Sequence, residues 1–170
     1  MDLRQLLAAE HSKKQCDRIV SYIGADENRF AELMDVFFQG EYRITQRAAW
    51  PMSYCVREHP ELIKPYFKPL LDQLDKTGLH VAVSRNILRL LQDVDIPQKY
   101  HGRVMNACFV YVQSPDTPIA LKAFSLTILQ NLSRDYPDIL GELRLIIEEQ
   151  WEQSTPAFRS RARKILKARS

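Results

Sequence analysis

A short signature returns along this chain at an almost constant interval. Arg47-Ala48-Ala49-Trp50, Arg85-Asn86-Ile87-Leu88, Lys122-Ala123-Phe124-Ser125 and Arg161-Ala162-Arg163-Lys164 follow one another at steps of 38, 37 and 39 residues, and each opens on a basic side chain. A second echo, His59-Pro60-Glu61-Leu62-Ile63 and Tyr136-Pro137-Asp138-Ile139-Leu140, lies two units apart. A period near 40 holds two helices and their turns. One such pair cannot bury its own apolar face, so consecutive pairs must stack and share a core.

The local pattern agrees with helices. Apolar residues recur at three- and four-residue spacing in nearly every segment, and no stretch alternates with period two. Only 5 of 170 residues are glycine, which disfavours glycine-rich phosphate loops and turn-rich β-sandwiches. Ser12 and Asp26 are placed to cap helix starts, Gly24, Gly40 and Gly78 to end helices. Pro60, Pro97, Pro118, Pro137 and Pro156 fall near further starts. The count is about ten helices, one of them short and spanning 2–9. Pro51 falls in mid-helix and is expected to kink it, and Pro65 and Pro69 are expected to do the same to a helix around Leu62–Leu74. The length suffices for a single domain with its own core and no disulfide or metal staple.

These units resemble HEAT repeats, in which two antiparallel helices stack and an acid stands six residues before the basic residue of the second helix. Glu41 with Arg47 and Asp116 with Lys122 keep that spacing, whereas Leu79 and Thr155 occupy the acidic position before Arg85 and Arg161. The likeness extends to small bacterial HEAT-like proteins through the Arg47–Trp50 stretch and the ending around Ser160–Leu166. It implies one all-α domain over 1–170, an α-α superhelix with units 13–40, 41–76, 79–114 and 116–152 and a capping helix over 155–169. It also implies that the second helices line a concave face presenting Arg43, Arg47, Trp50, Tyr54, Arg85, Arg89, Lys122 and Arg161.

On the helix over 42–58 the residues Arg43, Arg47, Trp50, Tyr54 and Arg57 fall on one stripe, opposite a core stripe of Ile44, Ala48, Met52, Cys55 and Val56. Two readings of the basic ladder stand side by side. In one, Arg47, Arg85, Lys122 and Arg161 bond acids such as Glu41 and Asp116 and fix the geometry between units, with Trp50 packed. In the other, the ladder is partly unpaired and grips an acidic peptide, or nucleic acid through its phosphates with bases stacked on Trp50 or Tyr54.

Charge is unevenly spread. Residues 155–170 hold Arg159, Arg161, Arg163, Lys164, Lys167 and Arg169 and no acid, while 1–154 hold 18 basic and 21 acidic residues, a net of −3. The basic character is therefore local, and the terminal segment reads as a capping helix with a cationic outer face.

Signals for catalysis are poor. His11, His59, His80 and His101 lack metal-ligand spacing and read as surface or capping residues, and no catalytic residue, metal or cofactor is expected. Asp93 with Asp95, Asp72 with Asp75 and Glu148 with Glu152 read as solvated pairs. Cys16, Cys55 and Cys108 are odd in number and far apart, as in a reducing compartment, and nothing activates Cys55 beside His59. With no signal peptide or membrane span in view, a cytoplasmic setting is expected. The sequence thus points to a non-enzymatic binding scaffold for another protein, without a small-molecule substrate or membrane contact. The alternative is a nucleic-acid-binding protein or a HEAT-like DNA-repair glycosylase using the same cationic, aromatic face.

Overall fold

The structure, a computed structural model, describes residues 1–168. Arg169, placed by the sequence in the basic terminal segment, lies outside the described residues. Ten α-helices follow in order: α1 (Leu3–Ala9), α2 (Lys13–Ile23), α3 (Glu27–Gln39), α4 (Tyr42–Glu58), α5 (Phe67–Leu74), α6 (Val81–Leu91), α7 (His101–Gln113), α8 (Ile119–Leu132), α9 (Ile139–Gln150) and α10 (Pro156–Lys167). Among the described residues there is no strand. The chain divides into two compact units, Met1–Asn86 and the residues from Ile87 onward, with the boundary inside α6.

The helices begin where short polar side chains satisfy free amides. Ser12 accepts from the Gln15 N–H at 3.1 Å, and Asp26 accepts from Asn28 and Arg29 at 2.9 and 3.1 Å. Thr155 does the same for α10, where Pro156 occupies the first turn and gives up no needed donor. Gly24 ends α2 with φ +51, a conformation that L side chains rarely adopt. Gly40 ends α3 for a different reason. Its φ is an ordinary −72, but a Cβ there would sit 2.6 Å from the Val36 carbonyl oxygen.

The prolines divide into two cases. Pro51 is accommodated inside the continuous helix α4 and is buried. The segment around Leu62–Leu74, expected to be one kinked helix, is instead a 3-10 stretch (Pro60–Tyr66) followed by α5. Pro65 has no N–H to give to Glu61, and Pro69 none to give to Pro65, so two consecutive turns cannot close as α-helix. Pro69 then falls in the first turn of α5, where its missing donor has no cost.

In the first unit α4 is the hub and packs on α1, α2 and α3. Its buried stripe is the expected Ala48, Met52, Cys55 and Val56, widened by Thr45, Ala49 and Pro51. Around it Ile19, Ile23, Phe30, Leu33, Met34, Phe37 and Phe67 are shut off from water. In the second unit α8 packs on both α7 and α10. It is therefore apolar nearly all round, with Leu121, Ala123, Leu126, Ile128, Leu129 and Leu132 buried. The most extensive helix–helix packing joins α3 to α4 and α7 to α8.

Candidate functional site

Within the first unit, Arg47 projects from the second turn of α4 toward the end of α1. Its Nη1 donates to the Leu7 carbonyl at 2.7 Å and to the Ala8 carbonyl at 2.9 Å. A guanidinium at a helix C-terminus satisfies carbonyls that lack intrahelical donors and meets the negative end of the helix dipole. The acid expected as its partner, Glu41, is not the one it bonds. Trp50, one turn on, sets its ring edge-to-face against His11 at 5.1 Å. The space bounded by Glu10, His11, Arg47, Trp50 and Pro51 amounts to only about 10 Å³.

Tyr54 lies between two cations, Lys13 Nζ at 4.7 Å and the Arg57 guanidinium at 4.3 Å from its ring centre. Arg43 is exposed at the start of the same helix, and Arg85 on α6 is half-buried. Among the described residues neither makes a hydrogen bond or ion pair.

Within the second unit, Lys122 Nζ donates to Gln150 Oε1 at 2.8 Å, and Gln150 Nε2 passes on to the Val112 carbonyl at 2.8 Å. This relay ties the N-terminal turn of α8 to the C-terminal ends of α7 and α9. Burial holds the Lys122 ammonium below the usual lysine range, with Asp116 acting in the opposite sense. Asp116, the expected partner, is thus felt through space but forms no ion pair with it. Arg161 donates to Thr127 Oγ1 at 3.4 Å and lies 5.4 Å from the Phe124 ring centre, so it too is anchored without an acid. Arg89 is exposed and, among the described residues, without a hydrogen bond or ion pair.

The eight residues expected on one face thus fall into two groups. Arg43, Arg47, Trp50, Tyr54 and Arg85 belong to the first unit, Arg89, Lys122 and Arg161 to the second. Beside Lys122 a cleft of about 500 Å³ opens between the ends of α7 and α9 and the starts of α8 and α10. Gln113, Gln150 and Gln153 supply amides to its wall, Thr155 a hydroxyl, and Ile119 and Phe158 its apolar part. Ile119 is 50% exposed.

Some of these residues carry no signal in the local sequence. Gln150 and Asn131 look like ordinary surface amides, yet each bonds a carbonyl about one repeat back: Gln150 to Val112, 38 residues earlier, and Asn131 to Gln92, 39 residues earlier, at 3.0 Å. Arg47 reaches back 40 and 39 residues in the same way. A donor one repeat later thus satisfies the end of an earlier helix three times over, which turns the sequence period into a physical link.

A family model described as a HEAT repeat domain matches residues 3–169. The chain belongs to the HEAT-repeat family. The all-α fold with ten helices and the repeat period of the sequence are those of a HEAT-repeat protein. No curated protein and no solved structure matches the chain. HEAT repeats are scaffolds that commonly mediate protein interactions.

The other groups with reactive chemistry sit in structural places. All three cysteines are buried, and burial pushes the Cys16 thiol up to about 11 and those of Cys55 and Cys108 to about 12. A thiol that holds its proton that firmly is a poor nucleophile at neutral pH. His101, expected at the surface, is instead buried, with Nε2 2.6 Å from the Ile96 carbonyl oxygen and Nδ1 3.1 Å from the Tyr136 hydroxyl. Its two ring nitrogens tie the loop before α7 to the segment before α9. Among the described residues no group of His, Cys, Asp or Glu is arranged to hold a metal ion, and no helix is long and apolar enough to cross a membrane.

Proposed function

We propose that this HEAT-repeat chain is a non-enzymatic scaffold that holds a protein partner. The observation that carries the reading is the cleft of about 500 Å³ beside Lys122, built from the ends of successive helices and bounded by amides, the cation Lys122, the carboxylate of Glu149 and the exposed Ile119. Amide side chains at an apolar trough suit a peptide, whose backbone offers donors and acceptors in turn. In the first unit Arg43 and Arg85 add cations that, among the described residues, make no hydrogen bond or ion pair. Arg47 and Trp50 already have such partners in the end of α1 and in His11, which favours a scaffold over base excision on a cationic, aromatic face.

The test is affinity purification from the native cell with nuclease treatment, using wild type, Ile119→Asp with Lys122→Glu, and Arg43→Glu with Arg85→Glu. Arg47 is left intact because its loss would unseat α1. The reading expects a protein partner that survives nuclease and is lost from at least one double variant while its circular dichroism stays unchanged. Recovery of nucleic acid alone favours the glycosylase-like or nucleic-acid reading, and undiminished capture by both variants removes the surface assignment.

A further inference from the structure

The outer face of α10 is a cationic strip separate from the cleft and from the sites above. Phe158, Ala162 and Ile165 bury one side of the helix, so Ser160, Arg163, Lys164 and Lys167 are carried on the opposite side, all exposed. At 1.5 Å per residue Ser160 to Lys167 span about 10 Å of helix. Among the described residues Arg163, Lys164 and Lys167 form no ion pair. Nor, among the described residues, do their side chains donate a hydrogen bond, whereas Arg47, Lys122 and Arg161 each hydrogen-bond within the fold.

Arg163 is also held in place. Arg159 donates to the Trp151 carbonyl from Nη2 at 2.8 Å and from Nε at 3.1 Å, which fixes the end of α9. The Trp151 ring then has the Arg159 guanidinium 5.5 Å and the Arg163 guanidinium 5.8 Å from its centre. A guanidinium resting on an indole keeps its charge and its donors while losing rotamer freedom, so less ordering remains to be done when an anion arrives.

We infer that Arg163, Lys164 and Lys167 form a binding strip for the phosphate backbone of nucleic acid. Its chemistry distinguishes this occupant from two others. A protein interface is anchored by apolar or aromatic side chains at its centre, and a peripheral membrane helix needs an apolar face to enter the lipid boundary. The large exposed apolar side chains of the described residues are Met1, Tyr42, Val81, Val110, Ile119 and Leu145, and none is on α10. A strip of cations without an apolar anchor suits a polyanion, whose binding free energy comes from released counterions.

The experiment uses the full chain and a fluorescein-labelled 20-base-pair DNA duplex of arbitrary sequence, followed by anisotropy from about 20 mM to 200 mM salt. Three neutralised phosphates give a slope of log affinity against log salt of about −2.7. Arg163→Gln with Lys164→Gln and Lys167→Gln should weaken binding at least about tenfold at low salt and flatten the slope, while the pair Lys164→Gln with Lys167→Gln should remove about two thirds of it. A control with equal charge loss, Arg18→Gln with Lys64→Gln and Lys76→Gln, should bind as wild type. Urea midpoints confirm that each variant is folded. No duplex binding at low salt, or equal losses in the triple variant and the control, overturns the inference. So does tighter binding of polyglutamate or of phosphatidylserine vesicles than of the duplex.

Discussion

Replacing Arg47 by alanine separates a structural cation from a ligand-gripping one. The side chain makes one part-buried bond to the Leu7 carbonyl and one exposed bond to the Ala8 carbonyl, at 2.7 and 2.9 Å. A hydrogen bond to a charged group contributes about 1.5–3 kcal/mol when sheltered and less in water, and the helix dipole adds a few tenths, so the loss should be about 2 kcal/mol. That loss falls on α1, a helix of seven residues held by the buried Leu3 and Leu7 and by the Gln15 side chain on the Leu6 carbonyl. The two leucines together give only about 3–6 kcal/mol on burial, so a loss of about 2 kcal/mol is a large share of what holds so short a helix in place. A change of 2 kcal/mol should raise its undocked population about 30-fold. Hydrogen exchange read by mass spectrometry on the 1–12 peptide should therefore accelerate about 30-fold in Arg47→Ala and by less in Arg47→Lys, which keeps one charged donor. Protection of α3 and α8 should hardly change. Exchange of the 1–12 peptide within about threefold of wild type would refute the capping account.

Other outcomes follow from the same structure. Asp26→Ala should cost about 0.5–2 kcal/mol, read as a lower urea midpoint, because two amides of α3 lose their acceptor. Phe158→Ala, at a residue only 2% exposed, should cost about 3–5 kcal/mol by calorimetry or urea and enlarge the cleft beside Lys122. Cys108 makes stability fall on the alkaline side. Its folded thiol titrates at about 12 against an ordinary 9.0, so the unfolded chain loses this proton first. Its contribution is complete below pH 9 and lost as pH rises toward 12, at about 1.4 kcal/mol per pH unit. Cys108→Ala should flatten the dependence of the urea midpoint on pH between about 9 and 10.5, although it lowers stability throughout. An unchanged slope would remove this thiol as the cause.

Much of this protein could be read before any contact was known. The caps Ser12 and Asp26, the stop at Gly24 and the core stripe of α4 depend on residues within about four positions of one another, where propensity, capping and helical spacing act directly. The 3-10 stretch before α5 was less legible because it turns on two prolines four residues apart acting together. The partners of the basic ladder were not legible at all. The six-residue spacing suggested Glu41 and Asp116, but an exposed acid offers a cation little that water does not, whereas the bare carbonyls at the end of α1 lack any other donor.

The sequence by itself determined the helices, their period and the recurrence of a basic residue in each unit, since all of these are carried by spacing along the chain. Tertiary packing alone decided what those residues touch. Arg47 meets carbonyls 40 and 39 residues away, Lys122 an amide 28 away and Arg161 a hydroxyl 34 away, while Arg163, Lys164 and Lys167, of the same chemical type, stay exposed, Arg163 resting on the Trp151 ring. The physical reason is that a cation's role is set by which unsatisfied acceptors lie within about 3 Å once the helices have stacked, and no local pattern encodes that distance.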